Sequence, residues 1–134
     1  MLQIAVGIFI ILHGLVHVLY AGQSWRFFEM QTEMMWPDGS WLLSRFLSKT
    51  KMRWIAGIMC IISAAGFAWA GIAMSTESGG WLQMVVGATG LSSVVFLIFW
   101  NGESSHLGDQ GAVGILINIL IYLALVSFKW PDIG

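Results

Sequence analysis

Two histidines, His13 and His17, lie four residues apart in the stretch "LHGLVHVLY" (Leu12–Tyr20), inside a run with no charged residue before Arg26. A spacing of four puts both rings on one helix face, one turn apart, with Val6, Ile10 and Tyr20. Imidazole can do three kinds of work there. It can join helices: a reference pKa near 6.5 lets it enter an apolar interior neutral, and an unpaired ring N–H then costs about 1–3 kcal/mol. It can hold a metal ion, because neutral rings at i and i+4 can converge on one ion, with a third donor from His106, Glu103 or Asp109. It can also donate to a carbonyl of an amphipathic molecule, a lipid or a quinone, while Trp25, Trp36 or Tyr122 packs against it.

The metal reading has little motif behind it. Gly14 stands where an HExxH motif needs glutamate. Two histidines on one helix cannot take opposite axial positions on one haem iron, and no C-x-x-C-H attachment motif is present. Met30, Met34 and Met35 could offer sulfur to copper, but packing at a membrane boundary accounts for them more cheaply. Cys60 is the only cysteine, which excludes an internal disulfide and multi-cysteine zinc or iron–sulfur sites. In "NGESSHLGDQG" (Asn101–Gly111) serine, histidine and aspartate are loop neighbours, not the spatial relay that nucleophilic catalysis requires. No cofactor follows from these residues; a metal ion or a quinone is the alternative they leave open.

The elements that position the histidines follow from hydropathy. Hydrophobic residues make up 57% of the 134 positions and charged ones 10%, with a mean hydropathy of +0.80. Soluble domains carry about 25% charged residues. A net charge of −1 supplies no basic face for nucleic acid. A helical crossing needs about 20 apolar residues at about 1.5 Å each, and four segments qualify: 2–22, 54–74, 81–100 and 111–128. Every Asp, Glu, Lys and Arg lies outside them, and Tyr20, Trp25, Trp54, Trp81, Trp100 and Trp130 bracket them as interfacial aromatics do. No basic residue precedes Arg26, so the first segment is expected to be a retained span, not a cleaved signal. The fold expected is therefore all-α, a four-transmembrane-helix bundle in a single domain with a long amphipathic, interfacial first loop (23–53).

Arg26, Arg45, Lys49, Lys51 and Arg53 crowd that loop, whereas Lys129 is the only Lys or Arg on the opposite side. The positive-inside bias places the first and third loops in the cytoplasm and both termini outside, in an inner (cytoplasmic) membrane. "SWLLSRFLSKTKMR" (40–53) has the composition of an interfacial helix, entered after the break at "WPDGS", where Asp38 or Ser40 can cap. The "WPD" of Trp36–Asp38 recurs at Trp130–Asp132 as a second boundary stop. A tight turn over Ser75–Gly80 makes spans two and three a hairpin. Their small residues, among them Gly57, Ala64, Gly66, Gly87, Ala88 and Gly90, allow close packing there or against a second copy. Ser63, Thr89, Ser92 and Ser93 are expected to bond back to their own helices, and Asp109 to favour the start of span four.

Polar groups gather in the loop-side half. Asn118 lies seven residues into span four, on a face shared with Gly111, Gly114 and Tyr122. The candidate ligand site is thus His13, His17, Tyr20, Asn118 and Tyr122, and the candidate metal set is His13, His17 and His106.

"LHGLVH", "WPDGSW", "FLIFWNG" and "DQGAVGILIN" together resemble small four-span integral membrane proteins of bacteria, a likeness that covers most of the chain and brings no activity with it. In size and span count the chain is also similar to DoxX-like membrane proteins, some of them linked to respiratory or thiol redox systems. That similarity is architectural and implies no functional residue. The function expected is a non-catalytic membrane subunit, or a binder of an amphipathic ligand through a polar half-pocket on the loop side. The alternatives are a metal- or redox-dependent membrane enzyme using the histidines and an oligomeric transporter. Expected partners are the lipid bilayer and a membrane protein or a second copy.

Overall fold

A computed structural model describes residues 1–131, and these are all-helical apart from turns and loops. Asp132, which completes the second "WPD", lies outside the described residues. Helix α1 covers Leu2–Ser24, α2 Lys49–Ser75, α3 Trp81–Ile98 and α4 Ala112–Tyr122, the last continued by one π-helical turn over Leu123–Ser127. Three helices, α1, α2 and α3, are long and apolar enough to cross a membrane. The fourth apolar stretch, Ala112–Ser127, is shorter. Outward faces carry large apolar side chains, such as Leu12, Leu15, Ile62, Trp69 and Leu97. Water would penalise each of these; lipid would not. The surface is that of a membrane protein.

Glycine sets the tightest seam. A Cβ added to Gly71 would lie 2.5 Å from the Gly7 carbonyl oxygen, and one added to Gly7 would lie 2.6 Å from that of Gly71. Gly14 meets the Phe67 Cβ in the same way. Helices α1 and α2 therefore touch backbone to backbone, where dispersion contacts are densest. The hairpin seam between α2 and α3 is looser than its small residues suggest. Gly66 meets Ala88, but Gly87 and Gly90 face open space, with no atom within 4 Å. Seam-forming glycines thus sit on α1, seven residues apart, and at Gly71 on α2, and not on α3.

The core has two apolar layers. One, at the loop end, holds Tyr20, Trp36, Met52, Cys60 and Phe96; the other, toward the far end, holds Ile10, Phe67, Met74, Val85 and Ile121.

The first loop departs from expectation. Residues 25–48 form turns and no regular helix, so the interfacial helix over 40–53 is absent except where Lys49–Arg53 begin α2. Locally only single turns form, with Ser44 bonded back to Ser40 and Leu47 to Leu43, and the loop's remaining polar groups find partners on the bundle end. The Trp41 N–H donates to the Trp100 carbonyl (2.9 Å) and its indole N–H to the Leu97 carbonyl (2.7 Å). The Ser40 hydroxyl donates to the Ile98 carbonyl. These bonds satisfy acceptors at the end of α3 that a helix terminus leaves open. Ser48, not Asp38 or Ser40, caps α2, accepting from the Lys51 N–H. Asp109 makes no capping bond either: it lies in a 3-10 turn (Gly108–Gln110), and α4 starts after Gly111, whose φ of 91° suits glycine.

Candidate functional site

Between the two apolar layers lies a buried polar one. His13 and His17 are 5% and 1% exposed, and Asn118 2%. One backbone acceptor orients the whole layer. His17 Nδ1 sits 3.1 Å from the His13 carbonyl oxygen, which can only accept, so Nδ1 carries the proton. In the neutral ring Nε2 is then an acceptor, and the Ser92 hydroxyl, 2.6 Å away, donates to it. With its proton committed, the Ser92 oxygen accepts from Asn118 Nδ2 at 2.8 Å. The Asn118 amide also donates to Ser93 Oγ at 3.1 Å. Its oxygen consequently faces His13 Nε2, which donates at 2.8 Å. The two histidines must be opposite tautomers.

Three helices are joined by this layer: α1 through the histidines, α3 through the serines and α4 through the asparagine. Phe67 packs edge-on against His13 and tilted against His17, and Phe96 covers His17 from the loop side. What the arrangement does chemically is satisfy its own donors.

The sequence-predicted site residues separate accordingly. His13, His17 and Asn118 come together. Tyr20 is buried, but in the loop-end apolar layer, edge-on to Trp36 at 5.1 Å and to Phe96 at 4.8 Å. Tyr122 is 44% exposed and lines a shallow outer groove together with Asn118, Thr89 and Ser93. It shares that face with Asn118 but is not among the groups bonded to His13 or His17. His106 is a correction. It is exposed on the α3–α4 loop, 3.8 Å from Glu103 and 3.7 Å from Asp109, whereas His13 and His17 are enclosed by their partners. Among the described residues, no group of three or more His, Cys, Asp and Glu side chains is placed to hold a metal ion. Ser92 and Ser93 are a second correction. They bond across helices, unlike Ser63 and Thr89, which bond back to Met59 and Val85.

A separate polar cavity of about 370 Å³ opens at the loop end. Glu33, Trp36, Asp38 and Lys49 line it from one side, Asn101, Glu103, His106, Asp109 and Gln110 from the other. Its shape depends on Asp38, which is 8% exposed and accepts from Arg53 Nε and Nη2 at 2.6 Å each. Arg26 adds an ion pair at 2.9 Å. Burial pushes the Asp38 carboxyl up, but the hydrogen bonds from Arg53 and Arg26 outweigh it and hold the group below its ordinary value. Arg26 reaches it from a left-handed backbone, φ 61°, a conformation uncommon for a non-glycine residue. Gln23, wholly buried at the end of α1, fixes the rest of the loop. Its amide donates to the Met34 and Trp36 carbonyls and accepts from the Met30 N–H. Sequence reasoning missed Gln23 and the Asp38 triad; an amide at the end of an apolar helix and an acid between two arginines were the available signals.

Comparison of the chain with family models, curated proteins and solved structures finds no match.

Proposed function

We propose that the chain crosses an inner membrane four times and acts there as a non-catalytic binder, holding the polar end of a lipid or quinone in the loop-end cavity. The observation that carries this reading is the cavity itself: charged and amide groups beside a buried indole, at one end of an otherwise apolar bundle. A volume of about 370 Å³ falls in the roughly 300–1,000 Å³ range of small-molecule sites. The buried histidines support the site from below and do not line it. In this reading α4 completes the bundle as a fourth crossing, the first and third loops lie on the cytoplasmic side, and exposed Phe27, Phe46 and Trp41 of the first loop rest at the boundary. The likeness to small four-span bacterial proteins and to DoxX-like proteins points to the same architecture. A second reading, a membrane subunit, is favoured by Gly87 and Gly90, whose open face on α3 suits a partner helix or a second copy.

Two measurements test this. Impermeant labelling of cysteines placed at Lys49 and Lys129 should mark opposite sides of the membrane; labelling from one side would end the four-crossing reading. Mass spectrometry of protein purified from its membrane should find one amphipathic molecule that Met35→Trp, filling the cavity from its exposed edge, displaces. Retention in Met35→Trp, or loss in a folded His13→Ala variant, would move the site elsewhere.

A further inference from the structure

A second, quite different groove runs between α1 and α4 on the half of the bundle away from the first loop, with a volume of about 430 Å³. Its walls are single helix faces at three- and four-residue spacing: Ala5, Val6 and Phe9 on α1, and Ile117 and Leu120 on α4 with Ala124 on its π-helical continuation. At its inner end the helices are held together by the His13–Asn118 bond and by Ile10 and Ile121 in the core. From there they part, and the groove reaches the end of the bundle at Leu2 and Trp130.

We propose that this groove binds one acyl chain of an anionic glycerophospholipid, with the phosphate held at Lys129. Lining chemistry argues for hydrocarbon, since every wall residue is apolar apart from the Trp130 indole N–H. Charge complementarity selects the headgroup. Lys129 is exposed and adjoins Trp130 at the groove's mouth. It is the only one of the six Lys and Arg residues outside the stretch from Arg26 to Arg53. The acid described at that end, Glu77, belongs to the α2–α3 turn and does not line the groove. A tail seated beneath Trp130 leaves its phosphate at the end of the bundle to which Lys129 belongs, where indoles and lysines meet headgroups.

The proposal rests on the four-crossing reading and is independent of the loop-end cavity. Its test is native mass spectrometry of the full chain in detergent, titrated with dioleoyl phosphatidylglycerol and with dioleoyl phosphatidylcholine. Wild type should bind one phosphatidylglycerol more tightly than phosphatidylcholine. Ala5→Phe and Ala124→Phe, which fill the groove from opposite walls, should each lose that lipid, while Val94→Phe on the outer face of α3 should keep it. Lys129→Gln should reduce the preference for the anionic lipid about fivefold. Should one filling variant fail to fold, the other decides. Unchanged binding in the folded filling variants, equal loss in Val94→Phe, or no headgroup preference in wild type would each overturn the proposal. An unchanged preference in Lys129→Gln would overturn the assignment of the phosphate. Failure of the four-crossing reading is separately visible, because labelling would then find Lys129 on the side of the first loop.

Discussion

The seams that α1 makes with its two neighbours could hardly differ more. Against α2 it presents Gly7 and Gly14, and backbone meets backbone at Gly71 and Ala64. Against α4 it presents His13, and a single hydrogen bond holds a seam that opens into a groove toward the chain's beginning. The difference teaches that two means of joining helices in lipid are divided here between seams. Small residues give many weak contacts and no room for a ligand. A polar bridge gives one directional contact and leaves space beside it.

The contrast can be broken from either side, and the largest effect should come from the glycine seam. Gly71→Leu drives a side chain into the Gly7 carbonyl and Ile11 and should cost about 3 kcal/mol, at the upper end of overpacking. Reversible unfolding in mild detergent measures it; a loss below about 1 kcal/mol would mean that the seam is looser than described.

Asp38→Asn should cost about 1.5–3 kcal/mol, the value of hydrogen bonds to charged groups. Because the folded carboxyl titrates below its ordinary value of 3.8, this contribution is complete above about pH 4. It fades as the pH falls through the lower folded value. Wild type and Asp38→Asn should accordingly converge in acid, and a constant gap between their pH profiles would show that the ion pairs are not its source.

The polar seam should give less. A double-mutant cycle of His13→Ala with Asn118→Ala should yield a coupling of about 0.6–1.7 kcal/mol, as for interhelical hydrogen bonds in membranes; zero coupling would separate the two residues. Smallest, and opposite in sign, is Gly90→Ala. With open space around it, the added methyl should stabilise by about 0.5–1 kcal/mol through helix propensity alone. Destabilisation there would reveal a partner helix.

How much of this was legible in the sequence depends on whether the answer was local. Hydropathy is a local property, and α1, α2 and α3 fall within a few residues of the segments read from it. The shared face of His13 and His17 also followed from helical spacing, and their proximity to Asn118 from the depth of each residue in its span. The choice Ser92 and Ser93 make between their own carbonyls and a neighbour's amide did not, because it depends on how α3 is rotated against α4. The seam glycines carried a signal that went unused: Gly7, Gly14 and Ala21 repeat every seven residues, the period of a helix-packing stripe. The first loop was misjudged because its composition suits a membrane surface, while its backbone is claimed by Gln23, Arg26 and the end of α3.

Nitrogen-15 NMR of histidine-labelled protein in micelles tests the polar layer most directly, with His13→Ala and His17→Ala assigning the signals. His17 should carry its proton on Nδ1 and His13 on Nε2, opposite tautomers set by one carbonyl and relayed through Ser92 and Asn118. Two buried rings in the same tautomer, or rings exchanging freely between both, would contradict the layer and with it the account of how α1, α3 and α4 are joined.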